Sequence, residues 1–592
     1  MELDAEKREA GTVAPDFLSR RAGVVCALLL ALMGAQMLFV IRQKSITVDE
    51  WVMIPAGYYH LTTGDFRPVG EHPPFAKVLA AAPLLLTATR APRIDSAPHD
   101  YPYFLDKFDK FWHMNAERFD YLTFWARVPA ILVTLVLGAL VFVFARRHWG
   151  ARAALFAVAL FAFEPTVLAH GRVVQTDIPS ALAFLLFCFT LYEYLQAPTW
   201  RRAVYAGLTL GLAAVTKFSM IALAPPLFLL LAALFVLAPR RHLRRAHVAA
   251  HAAALALAAV LLVNAAYFFH SRAPEPLDNA LARLVVPVRV AEEFHAPLEA
   301  GYYALQIVFP VDFVSGIGWQ LGHAHEGHQA GLLGMYSHRG WWYYFPVAFA
   351  LKTSLPILLL SLAAVAWAAL RLRRKVEGRV LLLVVPLAFF TGLLMLSTIN
   401  IGVRYYLPAY PFFFILAGAM IDDLLRRGIG RGGRKVALAA ALASVALCWV
   451  VVEAARAYPD HMSYMNQLAS ARPHWWYLSD SNVEWGDDVR DLALYLRAHG
   501  EHRVGAAILC WSVLDVYDID GVDIFVPPGE RPERVRYVAV GASNLNGSTV
   551  PGGFDNGVTL TEEERVNYFD EFRRRTPEKV FGGSIYLYRM RE

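Results

Sequence analysis

The sequence predicts a multi-span α-helical membrane protein with about eleven transmembrane helices, followed by a small C-terminal extracytoplasmic α/β domain. Three observations carry that prediction. Over 592 residues, 57% are hydrophobic and only 18% charged, too little polar material to cover a water-soluble fold of this size. Apolar runs such as Val24–Ile41, Ala130–Ala145 and Val248–Phe268 approach the length that crosses about 30 Å of hydrocarbon. Basic residues cluster in short segments between those runs, the positive-inside pattern.

The elements follow in order. Residues 1–21, with Lys7, Arg8, Arg20 and Arg21, are expected inside; the long apolar stretch after them reads as a first span, since no small-residue cleavage site precedes Ile41. Spans are expected near 22–41, 127–145, 153–169, 178–196, 202–217, 219–237, 248–268, 344–370, 380–397, 406–422 and 436–453. Every inner loop on this map is basic: Arg146/Arg147/Arg152, Arg201/Arg202, Arg240/Arg241/Arg244/Arg245, Arg371/Arg373/Arg374/Lys375 and Arg426/Arg431/Arg434/Lys435. One miscounted span would invert all later loops, so the agreement favours an odd number. The formal net charge of +6 thereby reads as topology, and no nucleic-acid partner is expected. Residues 22–453 form the membrane domain, with outer loops at about 42–126 and 269–343; residues 454–592 form the outer domain. In that tail, Ser481 to Glu484 has capping-box spacing and opens an amphipathic stretch ending near Gly500. Strands are expected at Val504–Leu509, Val535–Val540 and Ser584–Tyr588. The four cysteines are scattered and make no disulfide framework or CxxC site.

Candidate chemistry gathers on the outer side. Asp49 and Glu50 follow the first span directly. Carboxylates beside a membrane suit a general base, because partial desolvation raises a carboxyl toward neutrality; an ordinary polar span boundary is the plainer alternative. Glu71-His72-Pro73-Pro74 leads to Lys77, and the paired prolines make a rigid turn that fixes His72 and Lys77. His170 to Asp177 packs three ionisable groups between two apolar runs, where charges are costly and default to function; a snorkelling Arg172 paired with Asp177 also accounts for it. Lys217, Lys352 and Arg404 add cations on the same side and suggest a pocket for an anionic group such as phosphate. The loop His323-Ala324-His325-Glu326-Gly327-His328, with His338 beyond, could take a metal, although its spacing is not HExxH.

Together these segments resemble the GT-C class of glycosyltransferases, and within it family 39: the protein O-mannosyltransferases, the lipid A aminoarabinose transferases and related bacterial enzymes. The similar pieces are Asp49-Glu50, Gly64-Asp65 to Pro74, Glu164-Pro165 to Asp177, Thr216 to Ser219, Trp342 to Pro346 with Lys352, and Gly402 to Pro411. They span about 22–420. The tail segment Asp480-Ser481-Asn482-Val483-Glu484-Trp485-Gly486-Asp487-Asp488 resembles a bacterial subset with undefined acceptors. The resemblance implies Asp49 as general base, with Glu50 beside it, and Asp177 as a second acidic position. It implies Lys77, Lys217, Arg404 and Arg172 for the donor phosphate, and places His72, Tyr405 and Lys352 against substrate. Glu71 and His270 fall where the aminoarabinose enzymes hold a metal, so a divalent metal is a possible cofactor.

The resulting expectation is an inverting transfer of a sugar from a polyprenyl-phosphate donor to a hydroxyl of a protein, lipid or glycan. It is placed on the extracytoplasmic side of a membrane, a bacterial inner membrane by the tail resemblance, among membrane lipids. The absence of a Gly-rich nucleotide loop fits a lipid-linked donor. A transporter is the main competing class, and a non-catalytic envelope assembly protein the third. Against a transporter, there is no internal repeat, and the charges gather in outer loops instead of mid-span.

Overall fold

The computed structural model describes residues 17–95, 97, 101–238, 244–270, 272–283, 292–429, 433–527, 533–554 and 556–590. Lys7, Arg8, Arg240, Arg241 and Arg431 of the expected inner segments lie outside the described residues.

Among the described residues, nine helices are long and apolar enough to cross a membrane: Arg20–Val40, Ala116–Trp149, Asp177–Gln196, Phe218–Leu237, Arg245–Ala266, Leu355–Arg374, Gly378–Met395, Val403–Arg427 and Val436–Arg456. Their outward faces are apolar. Val24, Leu28 and Leu32 are exposed at helical spacing on the first helix, while Cys26, Leu30, Met33 and Met37 are buried behind them. Leu438, Leu442, Val445, Trp449 and Val452 do the same on the last. In water such faces would be unstable, and in hydrocarbon they are solvated. The protein is an integral membrane protein.

Two of the eleven expected spans are not among these nine. The run expected at 153–169 is a 13-residue helix, Ala151–Phe163, followed by a separate turn of helix at Pro165–His170. Pro165 cannot donate within a continuous helix and disfavours the helical conformation at Glu164, so the chain breaks there. The run at 202–217 is the 17-residue helix Trp200–Thr216. The span expected at 344–370 is likewise broken, into Tyr344–Lys352 and Leu355–Arg374, with Pro356 at the start of the second piece.

The segment between the first two spans holds three helices: α1 (Val48–Thr63), α2 (Pro74–Ala81) and α3 (Tyr101–His113). They bury Trp51, Tyr59, Phe104, Phe108, Phe111 and Trp112 in one cluster, which also takes in Val504, Val513 and Leu587 of the C-terminal domain. That domain is a five-stranded mixed sheet of β1 (Arg503–Ala507), β2 (Asp520–Asp523), β3 (Tyr537–Gly541), β4 (Lys579–Phe581) and β5 (Ile585–Arg589), ordered β2-β1-β3-β5-β4. β1 pairs parallel with β2 and β3; β5 pairs antiparallel with β3 and β4. The three predicted strands are present within three residues at their ends. The two missed ones, β2 and β4, are short and carry too few apolar residues to show an alternation.

The predicted capping box at Ser481 does not form. Asp480–Asn482 is a single 3₁₀ turn, and the amphipathic helix begins only at Val489, ending at Ala498 before Gly500. Glu484 turns inward instead, and its carboxylate accepts from the backbone N–H of Leu509 and of Ser543, both at 2.8 Å. Residues 480–488 thus leave the sheet domain as an irregular strap across the membrane domain. The Ser45 N–H donates to the Asp487 carbonyl at 2.8 Å, and the Val48 N–H to the Trp485 carbonyl at 2.9 Å.

Candidate functional site

Asp49 and Glu50 are neighbours with opposite environments. Thr47 caps α1 and forms a reciprocal capping box with Glu50. Glu50 is completely buried; Oε1 accepts from Arg127 Nε at 2.8 Å and from the Val174 N–H at 2.9 Å, and Oε2 accepts from Arg127 Nη2 at 2.6 Å. Expected among the reacting groups, Glu50 is instead tied into a fully buried ion pair with Arg127. Asp49 turns the other way, with its side chain 21% exposed.

Around Asp49 the chain assembles charges from three distant segments. Arg404, at the start of the Val403–Ala409 turn, donates from Nη1 to Asp49 Oδ2 at 2.5 Å. The same nitrogen lies 3.9 Å from Asp177 Oδ2. Lys217 donates to Asp177 Oδ1, and its ammonium sits 3.5 Å from the centre of the Tyr405 ring. The Arg404 guanidinium also lies over the Trp485 ring at 4.4 Å, and the indole N–H donates to Asp49 Oδ1 at 3.3 Å. Asp49, Asp177, Lys217, Arg404 and Tyr405 therefore meet in one place. Two carboxylates and two cations balance to zero between aromatic walls.

Burial would raise the Asp49 carboxyl, but the Arg404 charge, with help from hydrogen bonds of Arg404 and Trp485, outweighs it and holds the group below the ordinary aspartate range. The sequence expectation of a carboxyl lifted toward neutrality is thus reversed, because the partner cation was not visible locally. His72 stands within electrostatic reach of Asp49, and burial pushes its imidazole down to about 3, so it is neutral at pH 7.

Other expected residues lie elsewhere. Lys77 is buried, and its ammonium donates to the Val69 carbonyl at 2.7 Å and the Pro68 carbonyl at 3.4 Å; burial lowers it to about 7, against the pull of Glu71. Lys352 is also buried and donates to the carbonyls of Met462 at 2.7 Å and Asn482 at 2.5 Å, so it anchors the strap instead of facing a substrate. Arg172 is fully buried and pairs with Asp487 at 3.0 Å, neither with Asp177 nor on an open donor surface. Lys77 is taken up by its own loop, whereas for Lys352 and Arg172 the strap supplies the Asn482 carbonyl and the Asp487 carboxylate, which local sequence cannot place.

Glu71 and His270 line one cavity of about 800 Å³, together with Asp65, Arg67, Asp312 and Trp319. Burial raises the Glu71 carboxyl. Among the described residues, neither belongs to a group of three close metal-ligand atoms; the one such group is Asp460, Asp488 and Asp491. Lys44 already fills that triad, pairing with Asp460 and lying 2.5 Å from Asp488 and 2.7 Å from Asp491. In the histidine loop, His323 Nε2 and His328 Nδ1 approach to 3.2 Å, with no third ligand atom close enough to make such a group.

The residue that sequence analysis passed over is Trp485. Its signal was present, since an aromatic within a polar nine-residue segment breaks every strand and helix pattern, but nothing in that segment pointed 436 residues back to Asp49.

Residues 119–264 match the family described as dolichyl-phosphate-mannose-protein mannosyltransferase. That stretch includes Asp177 and Lys217. No curated protein matches the chain. Among solved structures, the chain is similar to ArnT from Cupriavidus metallidurans bound to undecaprenyl phosphate, at 16% identity and a TM-score of 0.42, covering 74% of this chain and 70% of that one. It is also similar to the archaeal oligosaccharyltransferase AglB from Archaeoglobus fulgidus in complex with an inhibitory peptide and a dolichol-phosphate, at 13% identity and a TM-score of 0.44, covering 87% and 69%.

Proposed function

We propose that this protein is a membrane glycosyltransferase of the GT-C kind, moving a sugar from a polyprenyl-phosphate donor to a hydroxyl acceptor on the extracytoplasmic face. The observation that carries this reading is the meeting of Asp49 and Asp177 with Arg404 and Lys217 in one aromatic-walled cluster, in which Asp49 is the most exposed of the four. The family match over residues 119–264 supports it, because it contains two of the four charges.

The chemistry follows from the arrangement. As the acceptor oxygen attacks C1 of the sugar, Asp49 takes the hydroxyl proton. The C1–O bond to phosphate breaks, and its electron pair leaves on the polyprenyl phosphate. Arg404 and Lys217 stabilise that growing charge; each charge-assisted hydrogen bond contributes about 1.5–3 kcal/mol. Asp177 holds Lys217 in place through its hydrogen bond. Base on one face of C1 and leaving group on the other give inversion.

The resting geometry bears on one further step of this reading. Arg404 is spent on Asp49 at 2.5 Å, so it must exchange that carboxylate for the phosphate when donor enters. The exchange removes the main influence that holds Asp49 low, and the carboxylate becomes a stronger base only with donor in place. A base of this kind adds about 10²–10⁴ in rate.

The test is transfer by purified protein in lipid. Radiolabelled polyprenyl-phosphate sugars, mannose first, are offered with a crude membrane extract as acceptor. Wild type is expected to move label into a new product and Asp49→Asn to fail while melting normally. Equal transfer by the two would remove Asp49 from the reaction.

A further inference from the structure

The C-terminal domain could be a separate acceptor-recognition module or part of the reaction centre. The strap decides between these. It binds both segments that deliver the opposed charges. On the Asp49 side, Val48 N–H donates to the Trp485 carbonyl and Ser45 N–H to the Asp487 carbonyl. On the Arg404 side, Asn482 Oδ1 accepts from the Val403 N–H at 2.9 Å, and Ser481 Oγ donates to the Ile401 carbonyl at 2.7 Å. Between these two anchor points stands Trp485, 1% exposed, with its N–H on Asp49, one face under Arg404, and the His170 ring 5.7 Å away. Gly486 makes the turn: its φ is +100°, and a Cβ there would fall 2.6 Å from that of Cys510.

We propose that Trp485 is a positioning residue for Asp49 and Arg404, supplied by the C-terminal domain, so that the active site is complete only with the strap docked. The inference rests on the reading of Asp49 as base. Its physical content lies in the exchange of partners. When the guanidinium leaves Asp49 for phosphate, the indole face still carries it, since a cation over an aromatic ring is held without a fixed hydrogen-bond direction. The indole N–H stays on Oδ1 and keeps the carboxylate from following the arginine. Its donation to the ionised form also keeps Asp49 deprotonated.

The test reads Asp49 directly. Protein in lipid is labelled with a hydrophobic carbodiimide, which attacks protonated carboxyls, across a pH series; modification of Asp49 is quantified by peptide mass spectrometry. Trp485→Phe keeps a ring but loses the N–H, and its labelling midpoint is expected to rise by about half a pH unit, as the loss of one weak donor to a carboxylate requires. Trp485→His keeps a flat ring with an N–H and is expected nearer the wild-type midpoint. In the transfer assay with polyprenyl-phosphate mannose, the Phe variant is expected to lose kcat with the donor KM little changed. Trp485→Leu, lacking the aromatic face, is expected to raise donor KM as well. Wild-type midpoint and kcat in the Phe variant, with a wild-type melting curve, would overturn the proposal; should Phe unfold the chain, a folded His variant shifted as far as Leu would do so. Transfer surviving Asp49→Asn overturns the base assignment, whereas silent Asp49→Asn beside normal Trp485→Phe overturns the positioning role alone.

Discussion

Replacing Glu50 by Gln should damage the fold and spare the chemistry, the reverse of Asp49→Asn one residue earlier. Glu50 and Arg127 are both completely buried and meet through two hydrogen bonds of 2.6 and 2.8 Å. Glu50 also accepts from the backbone N–H groups of Thr47 and Val174, both at 2.9 Å. Neutralising it leaves the Arg127 guanidinium with the carbonyls of Lys44 at 3.1 Å and Ser45 at 2.5 Å and no bonded carboxylate. An uncompensated buried charge of this kind costs about 3–5 kcal/mol. Those two carbonyls offset part of it, which favours the lower end. Asp49 is partly exposed, and its amide leaves Arg404 with Asp177 at 3.9 Å and the Trp485 ring at 4.4 Å, so its cost is expected to be smaller than that of Glu50→Gln. The assay is thermal unfolding in lipid, run beside label transfer per folded molecule. Glu50→Gln should melt several degrees lower and keep transfer within about tenfold, far from the 10²–10⁴ that a lost base removes. A Glu50→Gln protein that melts like wild type and transfers nothing would refute the assignment of these two carboxylates.

Two further outcomes follow from the strap and its anchors. Burial pushes Glu484 up to about 7 from an ordinary 4.5, so the folded state holds that proton more tightly than the unfolded chain. Its stabilisation is complete below pH 4.5 and is lost as pH rises through about 7, a change of at most about 3 kcal/mol. The melting midpoint should therefore fall between pH 5 and pH 8, and Glu484→Gln should flatten that fall; an unchanged slope would refute it. Lys44→Met should leave Asp460, Asp488 and Asp491 converging without their cation, lowering the melting midpoint in EDTA and restoring part of it with calcium. No difference between EDTA and calcium would show that the triad relaxes apart.

Most of the membrane architecture was legible because span length and loop charge are both local properties. What local reading missed, it missed for physical reasons. The break at Glu164-Pro165 was readable from Pro165 alone and was hidden only by the continuity of apolar composition. Thr47 and Glu50 are spaced as a capping box, so their sequence already assigned Glu50 to the helix start and freed Asp49 alone for chemistry. The four charges of the cluster were each identified as outer-side candidates, but their pairing was not, since Asp49 and Arg404 are 355 residues apart. Lys352 and Arg172 read as site cations because sequence shows a charge and not its partner. Their partners, the Met462 and Asn482 carbonyls and the Asp487 carboxylate, all come from the C-terminal 140 residues.

That dependence explains why the cluster is neutral at rest. A lone base and a lone phosphate site, both largely withdrawn from water, would carry uncompensated charge whenever the donor was absent. Letting Arg404 close on Asp49, and Lys217 on Asp177, removes that cost and stores the site in an inert form. On the proposed reading, the donor phosphodiester carries one negative charge, as each carboxylate does, and it holds the cations more strongly as that charge grows toward two while the C1–O bond breaks; each cation that turns to it releases one carboxylate. The acceptor then meets a free base only beside a bound donor. On that reading the base is held by Arg404 until the donor is bound, which sets the order donor before acceptor, provided that something keeps Asp49 in place during the exchange. The indole of Trp485 touches both Asp49 and Arg404 without being charged.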